Sequence, residues 1–133
     1  MLTEGQILIL IQQLDQAVGL DVLYLFGSMA AGTDRPDSDI DLAALFSRPL
    51  DPLERLSLAT DLSAVVGRAV DLVDLDRANP ILCMQVLRQG RILHEGSPRR
   101  RILFEASVPG RYEDLQRIRK PQIDAMLRDL RRG

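Results

Sequence analysis

The sequence is poor in the residues that build disulfide frameworks and zinc sites. Its 133 residues include one cysteine, one histidine and no tryptophan. A lone Cys83 cannot form an internal disulfide, and one thiol with one imidazole supplies too few ligands for zinc. Because Cys83 lies in the apolar stretch ILCMQVL, we expect it to pack in the core.

Long apolar runs are scarce as well. No stretch approaches the ~20 apolar residues that cross a bilayer. The N-terminus lacks the basic start and the small-residue cleavage site that are typical of a signal peptide. Together with the single cysteine, these absences predict a cytoplasmic protein in a reducing compartment, without a membrane partner.

Charge is divided unevenly along the chain. Residues 1–96 hold 7 basic and 14 acidic residues, a net of −7, whereas residues 97–133 hold 10 basic and 5 acidic residues, a net of +5. The acidic part attracts cations, and the basic tail suits an acidic partner or nucleic acid, or is a solvated helix face. Arg99 to Arg101 likewise have two interpretations, contact with a partner or a solvated helix start.

Hydrophobic periodicity predicts an α/β or α+β domain in which helices flank a small mixed sheet. We expect the order helix, strand, helix, strand, helix, strand, helix, short strand, helix, with strands at residues 22–26, 40–46, 69–75 and 91–94. A single domain is expected over residues 1–133, with a core at 1–96 and a C-terminal helical segment at 97–133. Pro109-Gly110 should kink or break that segment.

Helix boundaries carry ordinary capping signals. Thr3 and Gln6 have the spacing of a capping box, while Asp51-Pro52 and Asn79-Pro80 each set a capping side chain before a proline. The predicted helix stops are the glycines at positions 19, 67 and 90.

The strand-to-turn junction at Gly27-Ser28 is the first candidate for ligand contact. A buried strand, Val22 to Phe26, ends there, and Ser28 to Ala31 can start a short helix whose amides favour an anion such as phosphate. Competing phosphate motifs fail, because GSMAAG lacks the Lys-Ser/Thr ending of a P-loop and no GxGxxG follows a strand. An ordinary strand-to-helix turn is the alternative.

Two carboxylates open the next strand. Asp39 and Asp41 are two residues apart and therefore share one face of a strand whose other residues are apolar. Paired carboxylates in a half-buried setting repel each other unless a cation lies between them. Mg²⁺ resolves this conflict, since it takes oxygen ligands and keeps substrate phosphates in its coordination shell. The plainer alternative is that Asp39 closes a loop and Asp41 pairs with an arginine.

Asp71 is the candidate for a third carboxylate. It lies on the predicted strand at residues 69–75, and it reaches the first two carboxylates if that strand lies beside the strand of Asp41. Three carboxylates can form a two-metal clamp or accept a proton from an attacking hydroxyl. Asp74 points to the opposite face of the strand, and Asp76 lies beyond it, where we expect it to serve the turn.

These residues carry a resemblance. Gly27-Ser28, ten residues and then Asp39-Ile40-Asp41 resemble the signature of the DNA polymerase β-like nucleotidyltransferase superfamily. The surrounding SDIDLA and the later VDLVDL look like its smallest members, the minimal nucleotidyltransferases, and the length and helical tail are similar to those of MntA-type antitoxins. The resemblance covers nearly the whole chain and implies the polymerase β-like fold, with residues 1–96 as the catalytic core.

The resemblance also implies a role for each site residue. Gly27 and Ser28 hold the triphosphate of ATP, Asp39 and Asp41 bind two Mg²⁺ ions, and Asp71 binds one ion and helps to activate the acceptor hydroxyl. In the antitoxin branch the acceptor is a tyrosine of a HEPN-type toxin (HepT), and AMP transfer silences the ribonuclease activity of that toxin. No direct nucleic-acid substrate is expected.

Two alternatives stay open at this point. One is nucleotidyl transfer to a small molecule such as an aminoglycoside, although 133 residues leave little room for an acceptor domain. The other is a non-catalytic antitoxin that neutralises its partner by binding. Arg35 is either a contact of the triphosphate or an ordinary solvated loop residue.

Overall fold

The computed structural model describes residues 2–33, 35 and 38–132. Over these ranges the elements are α1 (Glu4–Ala17), β1 (Leu20–Phe26), α2 (Gly27–Ala31), β2 (Ile40–Phe46), α3 (Pro52–Val66), β3 (Val70–Asp74), α4 (Pro80–Gln89), β4 (Arg91–Glu95) and α5 (Pro98–Arg132). This order confirms the prediction from the sequence. The capping box at Thr3 and the side-chain caps of Asp51 and Asn79 are formed as expected.

The four strands form one mixed sheet in the order β3-β2-β1-β4. β1 pairs antiparallel with both β2 and β4, whereas β2 and β3 are parallel. The parallel pair is possible because α3 crosses from the end of β2 back to the start of β3. β3 and β4, the two short strands, lie at the two edges.

Two apolar clusters cover the two faces of the sheet. One joins α1 and α3 to the face that carries Ile40, Leu42 and Leu72, and the other joins α4 and α5 to the face that carries Ala43 and Leu45. The alternating register of β2 and β3 therefore matches the assignment made from the sequence. Cys83 is fully buried in the second cluster, as expected.

Of the two outcomes expected at Pro109-Gly110, a break in the last helix is wrong, and a kink stays a prediction. α5 runs as one helix from Pro98 to Arg132, with Pro109 and Pro121 inside it. A proline inside a helix removes one backbone hydrogen bond at a cost of about 3 kcal/mol. Phe104 and Val108, just before the first proline, are buried at 7% and 0% exposure, and this packing offsets part of that cost.

Arg100 and Arg101 form ion pairs within the domain, so they are not merely solvated, and contact with a partner stays a prediction. Arg100 pairs with Asp76 at 2.6 Å and with Asp21 at 3.5 Å, so the carboxylate of Asp76 binds α5. Arg101 pairs with Glu95 at 3.1 Å and with Glu105 at 2.8 Å. These arginines fasten the start of α5 to the ends of the strands.

Along the described part of the chain, none of the helices has both the length and the apolar character needed to cross a membrane.

Candidate active site

One edge of the sheet collects the residues that the sequence singled out. Because β1 is antiparallel to β2, the end of β1 meets the start of β2, and Phe26 pairs with Asp41. Because β3 is parallel to β2, its start lies at the same edge, and Asp41 pairs with Asp71. The two carboxylates are therefore direct neighbours on adjacent strands, on the face covered by α4 and α5.

Gly27 brings the backbone turn against the carboxylate of Asp41. It has φ +72° and begins α2 directly after β1. A Cβ atom at this position would overlap the side chain of Asp41, with Cγ only 3.0 Å away. Glycine is thus required twice, for the left-handed backbone and for the close approach. Ser28 follows in the first turn of α2, where backbone amides have no intrahelical acceptor.

The electrostatics of the edge favour a cation. Burial, then the neighbouring charges of Asp71 and Asp39, raise the pKa of Asp41 above its ordinary value. Asp41 is half-buried, whereas Asp39 and Asp71 are exposed. A carboxylate that is disfavoured in its charged form by like charges is stabilised by any cation that bridges it to them.

The residues present fit a hard divalent cation without forming a closed cage. Among the residues that the structure describes, no three acidic, histidine or cysteine side chains converge on one metal position. The ligand chemistry, all oxygen and at an open edge, is that of Mg²⁺, which keeps water or substrate phosphate in its coordination shell.

Arg68 is a residue of this edge that the sequence did not single out. Its guanidinium donates to the carbonyl of Ser38 from Nε at 3.1 Å and from Nη2 at 2.6 Å, and to the carbonyl of Arg35 at 3.0 Å. On the other side of Asp39, the amide of Ile40 donates to the carbonyl of Ala69. Asp39 is therefore held between two bonded neighbours. No local pattern signals a contact that spans 30 residues of sequence.

The remaining candidates either lie on the strand face that the alternation of residues predicts or are exposed to solvent. Asp74 is buried on the opposite face of β3 and accepts hydrogen bonds from the amides of Leu50 and Asp76. Arg35 is exposed.

A cavity of about 360 Å³ lies at the far end of β3. Leu50, Leu72 and Leu82 give it apolar walls, and Arg55 and Arg77 lie among its lining residues. It contains none of the residues that the sequence proposed for catalysis, so the candidate active site is the open edge of the sheet.

The chain is similar to known proteins along most of its length. Residues 9–99 match the family model described as polymerase beta, nucleotidyltransferase. The chain is 38% identical over 126 residues to the protein adenylyltransferase MntA of Shewanella oneidensis, a match that covers 95% of this chain and 88% of that protein.

Solved structures extend the similarity. A toxin-antitoxin crystal structure with AMP-PNP contains a chain that matches with a TM-score of 0.82 and 36% identity, covering 95% of this chain and 99% of that one. A complex of tri-AMPylated HEPN toxin with MNT antitoxin, from Shewanella oneidensis, matches with a TM-score of 0.78 and 33% identity over 93% and 98% of the two chains. A putative minimal nucleotidyltransferase matches with a TM-score of 0.56 and 30% identity, over 65% of this chain and 88% of that one.

Proposed function

The chain belongs to the polymerase beta nucleotidyltransferase family. We propose that it transfers AMP from ATP to a tyrosine of a HEPN-type toxin and acts as the antitoxin of that toxin. The observation that carries the proposal is the pairing of Asp41 with Asp71 beside the turn at Gly27. A relative that matches 95% of the chain is named a protein adenylyltransferase, and the matching antitoxin of a solved complex is bound to a tri-AMPylated toxin. A cytoplasmic site of action stays a prediction from the sequence.

Each site residue has a proposed part in this reaction. Gly27 and Ser28 bind the triphosphate of ATP through backbone amides, which the absent side chain of Gly27 leaves accessible. Asp39 and Asp41, with Asp71, are the ligands proposed for two Mg²⁺ ions. When bound, these ions neutralise the charge that develops on the phosphates. Arg68 keeps Asp39 in place through the carbonyl of Ser38.

The transfer is a displacement at the α-phosphorus of ATP. The tyrosine oxygen forms a bond to that phosphorus, the bond from it to the oxygen bridging the β-phosphate breaks, and pyrophosphate leaves. Asp71 accepts the tyrosine proton, since it is an exposed carboxylate at the same edge. The toxin keeps AMP as a phosphodiester on its tyrosine.

Transfer of label from α-labelled ATP to the toxin tests the proposal. The purified chain, the HEPN-type toxin encoded beside it, ATP and Mg²⁺ are incubated, and label on the toxin is quantified. Replacement of Asp39→Asn with Asp41→Asn is expected to lower the rate on the order of 10³-fold, because metal stabilisation is worth several kcal/mol. The matched control, Asp61→Asn, changes an exposed carboxylate of α3.

Three results separate this function from its alternatives. An unlabelled toxin, or equal labelling by the double variant of Asp39 and Asp41, contradicts the proposal. Transfer to an aminoglycoside without any protein partner favours a small-molecule enzyme. Full neutralisation of the toxin in cells by the same double variant favours an antitoxin that acts by binding alone.

A further inference from the structure

The cavity of about 360 Å³ beside β3 has room for one small molecule. It lies where the starts of α3 and α4 meet the outer side of β3, since Pro52 lines it from α3 and Leu82 lines it from α4. Small-molecule sites in proteins are typically about 300–1,000 Å³ in volume and mostly apolar, with a few polar groups. The catalytic roles proposed above use none of the residues that line this cavity.

The outer side of β3 offers a backbone donor to a ligand. β3 is an edge strand, and its odd-numbered residues bond to β2, as the amide of Leu75 does to the carbonyl of Ala44. Because successive residues direct their backbone groups to alternate sides, the amide and carbonyl of Leu72 point away from β2. Arg55 donates from Nη1 to that carbonyl at 3.0 Å, so this guanidinium belongs to the wall. The amide of Leu72 faces the same side and can donate to a ligand.

One accessible guanidinium and one buried carboxylate also line the cavity. The side chain of Arg77 is 56% exposed, and its Nε is 3.9 Å from Oδ2 of Asp74, which is too long for a hydrogen bond. Arg77 can therefore turn to a negatively charged ligand. Asp74 is 4% exposed and accepts hydrogen bonds from the amides of Leu50 and Asp76. Because a carboxylate has about four acceptor positions, Asp74 can also accept from a hydroxyl or amino group of a ligand.

These groups fit a nucleoside monophosphate. Its phosphate is complementary to Arg77, its flat base to the apolar walls, and its hydroxyl and amino groups to the buried Asp74. An inorganic anion would leave the walls of Leu50, Leu72 and Leu82 in contact with water. A purely apolar ligand would bury Arg77 and Asp74 without giving either of them a partner, which is costly.

The register of β3 places the cavity near the proposed acceptor site. Val73 lines the cavity and shares the face of β3 that carries Asp71, two residues earlier. At about 3.3 Å per residue, their Cα atoms are about 7 Å apart. β2 separates β3 from β1, so the cavity is a different place from the turn at Gly27, to which the triphosphate of ATP is assigned.

We propose that this cavity is a second nucleotide site, which binds AMP with its phosphate on Arg77 and its base against the leucine walls. The inference rests on the proposed function, because the proposed reaction supplies the AMP. This AMP comes either from solution or from the toxin that already carries it. In the second case a ribose hydroxyl is the next acceptor. Its oxygen bonds to the α-phosphorus of another ATP, the bond from that phosphorus to the bridging oxygen breaks, pyrophosphate leaves, and Asp71 takes the proton.

Binding of free AMP tests the cavity without toxin or catalysis. The full-length chain is titrated with AMP in a calorimeter. Arg77→Gln removes the exposed guanidinium, and Ala78→Leu fills the cavity without a change of charge. Arg91→Gln is the matched control, since it changes an exposed arginine of β4 at the other edge of the sheet. Circular dichroism reports folding, and the thermal shift by Mg²⁺ with a non-hydrolysable ATP analogue reports binding at the Gly27 edge.

Arg77→Gln and Ala78→Leu are each expected to weaken AMP binding at least tenfold, because the first removes a charged hydrogen-bond donor and the second removes the space for the base. The shift by the ATP analogue should stay unchanged, and Arg91→Gln should bind AMP as the wild type does. AMP affinities within twofold for all four proteins overturn the inference, and so does a wild type that does not bind AMP. Competitive displacement of AMP by the ATP analogue also overturns it, because AMP then occupies the Gly27 edge.

The number of AMP units on the toxin identifies the source of the AMP. If the toxin supplies it, Arg77→Gln lowers the rate of a second transfer to the same tyrosine at least tenfold and leaves the first transfer unchanged. If the AMP comes from solution, the variant changes neither rate, or the wild type transfers only one AMP.

The same two assays separate this inference from the proposed function. AMP binding that depends on Arg77, with no transfer by the wild type, removes the proposed function and leaves the AMP site. Transfer by the wild type, with equal AMP binding by all the variants, removes the AMP site and leaves the proposed function.

Discussion

At the scale of single residues, the site depends on a carboxylate that the fold holds in an unfavourable state. Asp41 is half-buried next to Asp71, and burial and like charges raise its pKa. Because the folded state binds this proton more tightly than the unfolded state, the side chain favours folding at low pH, and this contribution is lost as the pH rises through the raised pKa. Near neutral pH and without a cation, Asp41 therefore costs stability.

Replacement of Asp41→Asn is expected to raise the Tm in metal-free buffer, because the substitution removes a charge that the site repels. The same variant should lose most of the Mg²⁺-dependent rise in Tm that binding to the folded state gives the wild type. Differential scanning calorimetry with and without Mg²⁺ measures both effects. Asp61→Asn, an exposed change on α3, is the control and should alter neither. A metal-free Tm below that of the wild type would contradict the account.

Gly27→Ala is expected to destabilise the fold by about 1–2 kcal/mol, because alanine is strained at φ +72°. It should also lower AMP transfer by about 10²-fold or more, since the added Cβ displaces the carboxylate of Asp41. Gly32→Ala is a matched control, with φ +74° and, among the described residues, no atom within 4 Å of the added Cβ. The account is supported if both variants lose similar stability and only Gly27→Ala loses AMP transfer. Equal AMP transfer by the two variants argues against it.

Arg68→Ala is expected to weaken the apparent Mg²⁺ affinity of the transfer reaction about tenfold, because partners of metal ligands typically contribute 10- to 100-fold. Titration of the rate with Mg²⁺ gives this value, and Arg68→Lys should restore part of it. Arg55→Ala is the control variant, because the guanidinium that it removes donates to the carbonyl of Leu72 instead of that of Ser38. An unchanged Mg²⁺ dependence in the Arg68 variant would show that the Ser38 contact has no role in the site.

At the scale of elements, α5 is unusual in its length and in its two internal prolines. It is a 35-residue helix with two internal prolines, fastened at its start by Arg100 and Arg101 and exposed along its distal part. Helices of this length are sustained by packing more than by propensity. The first proline follows the buried Val108, whereas the second lies in the exposed segment, so the two prolines lie in different environments.

Pro109→Ala is therefore expected to stabilise the protein by about 2 kcal/mol, because it restores a backbone hydrogen-bond donor next to the buried Val108. The stabilisation is reduced by the conformational entropy that the unfolded chain gains when the proline is removed. Pro121→Ala, in the exposed segment, should increase helicity with little effect on the Tm. Denaturant titration and circular dichroism measure the two effects. Destabilisation by Pro109→Ala would mean that the helix does not continue through that position.

At the scale of the whole molecule, most of the fold follows from the sequence. The boundaries of β2 and the caps at Thr3, Asp51 and Asn79 were predicted because periodicity and capping are local. The contacts of Arg68 and Arg100 were missed, because each joins residues far apart in the chain. The break at Pro109 was wrong because tertiary packing outweighs a local penalty. The division at residue 96 stays a prediction.

The candidate site, like the fold, could be predicted where the signal is local in the sequence and not where it depends on long-range contacts. The spacing of Gly27, Asp39 and Asp41 identified candidates, and the sheet register then brought Asp71 beside Asp41. Their roles in metal and nucleotide binding stay predictions. Asp39 and Asp71 are exposed at this edge, which is consistent with an acceptor that another protein supplies.

The most direct test is the mass of the toxin after incubation with this chain, ATP and Mg²⁺, followed by peptide mapping. The account predicts that the toxin gains one or more AMP units, beginning on a tyrosine, and that it gains none with Asp39→Asn plus Asp41→Asn. A toxin of unchanged mass that the wild-type chain nevertheless neutralises would contradict it, and so would equal modification by the double variant.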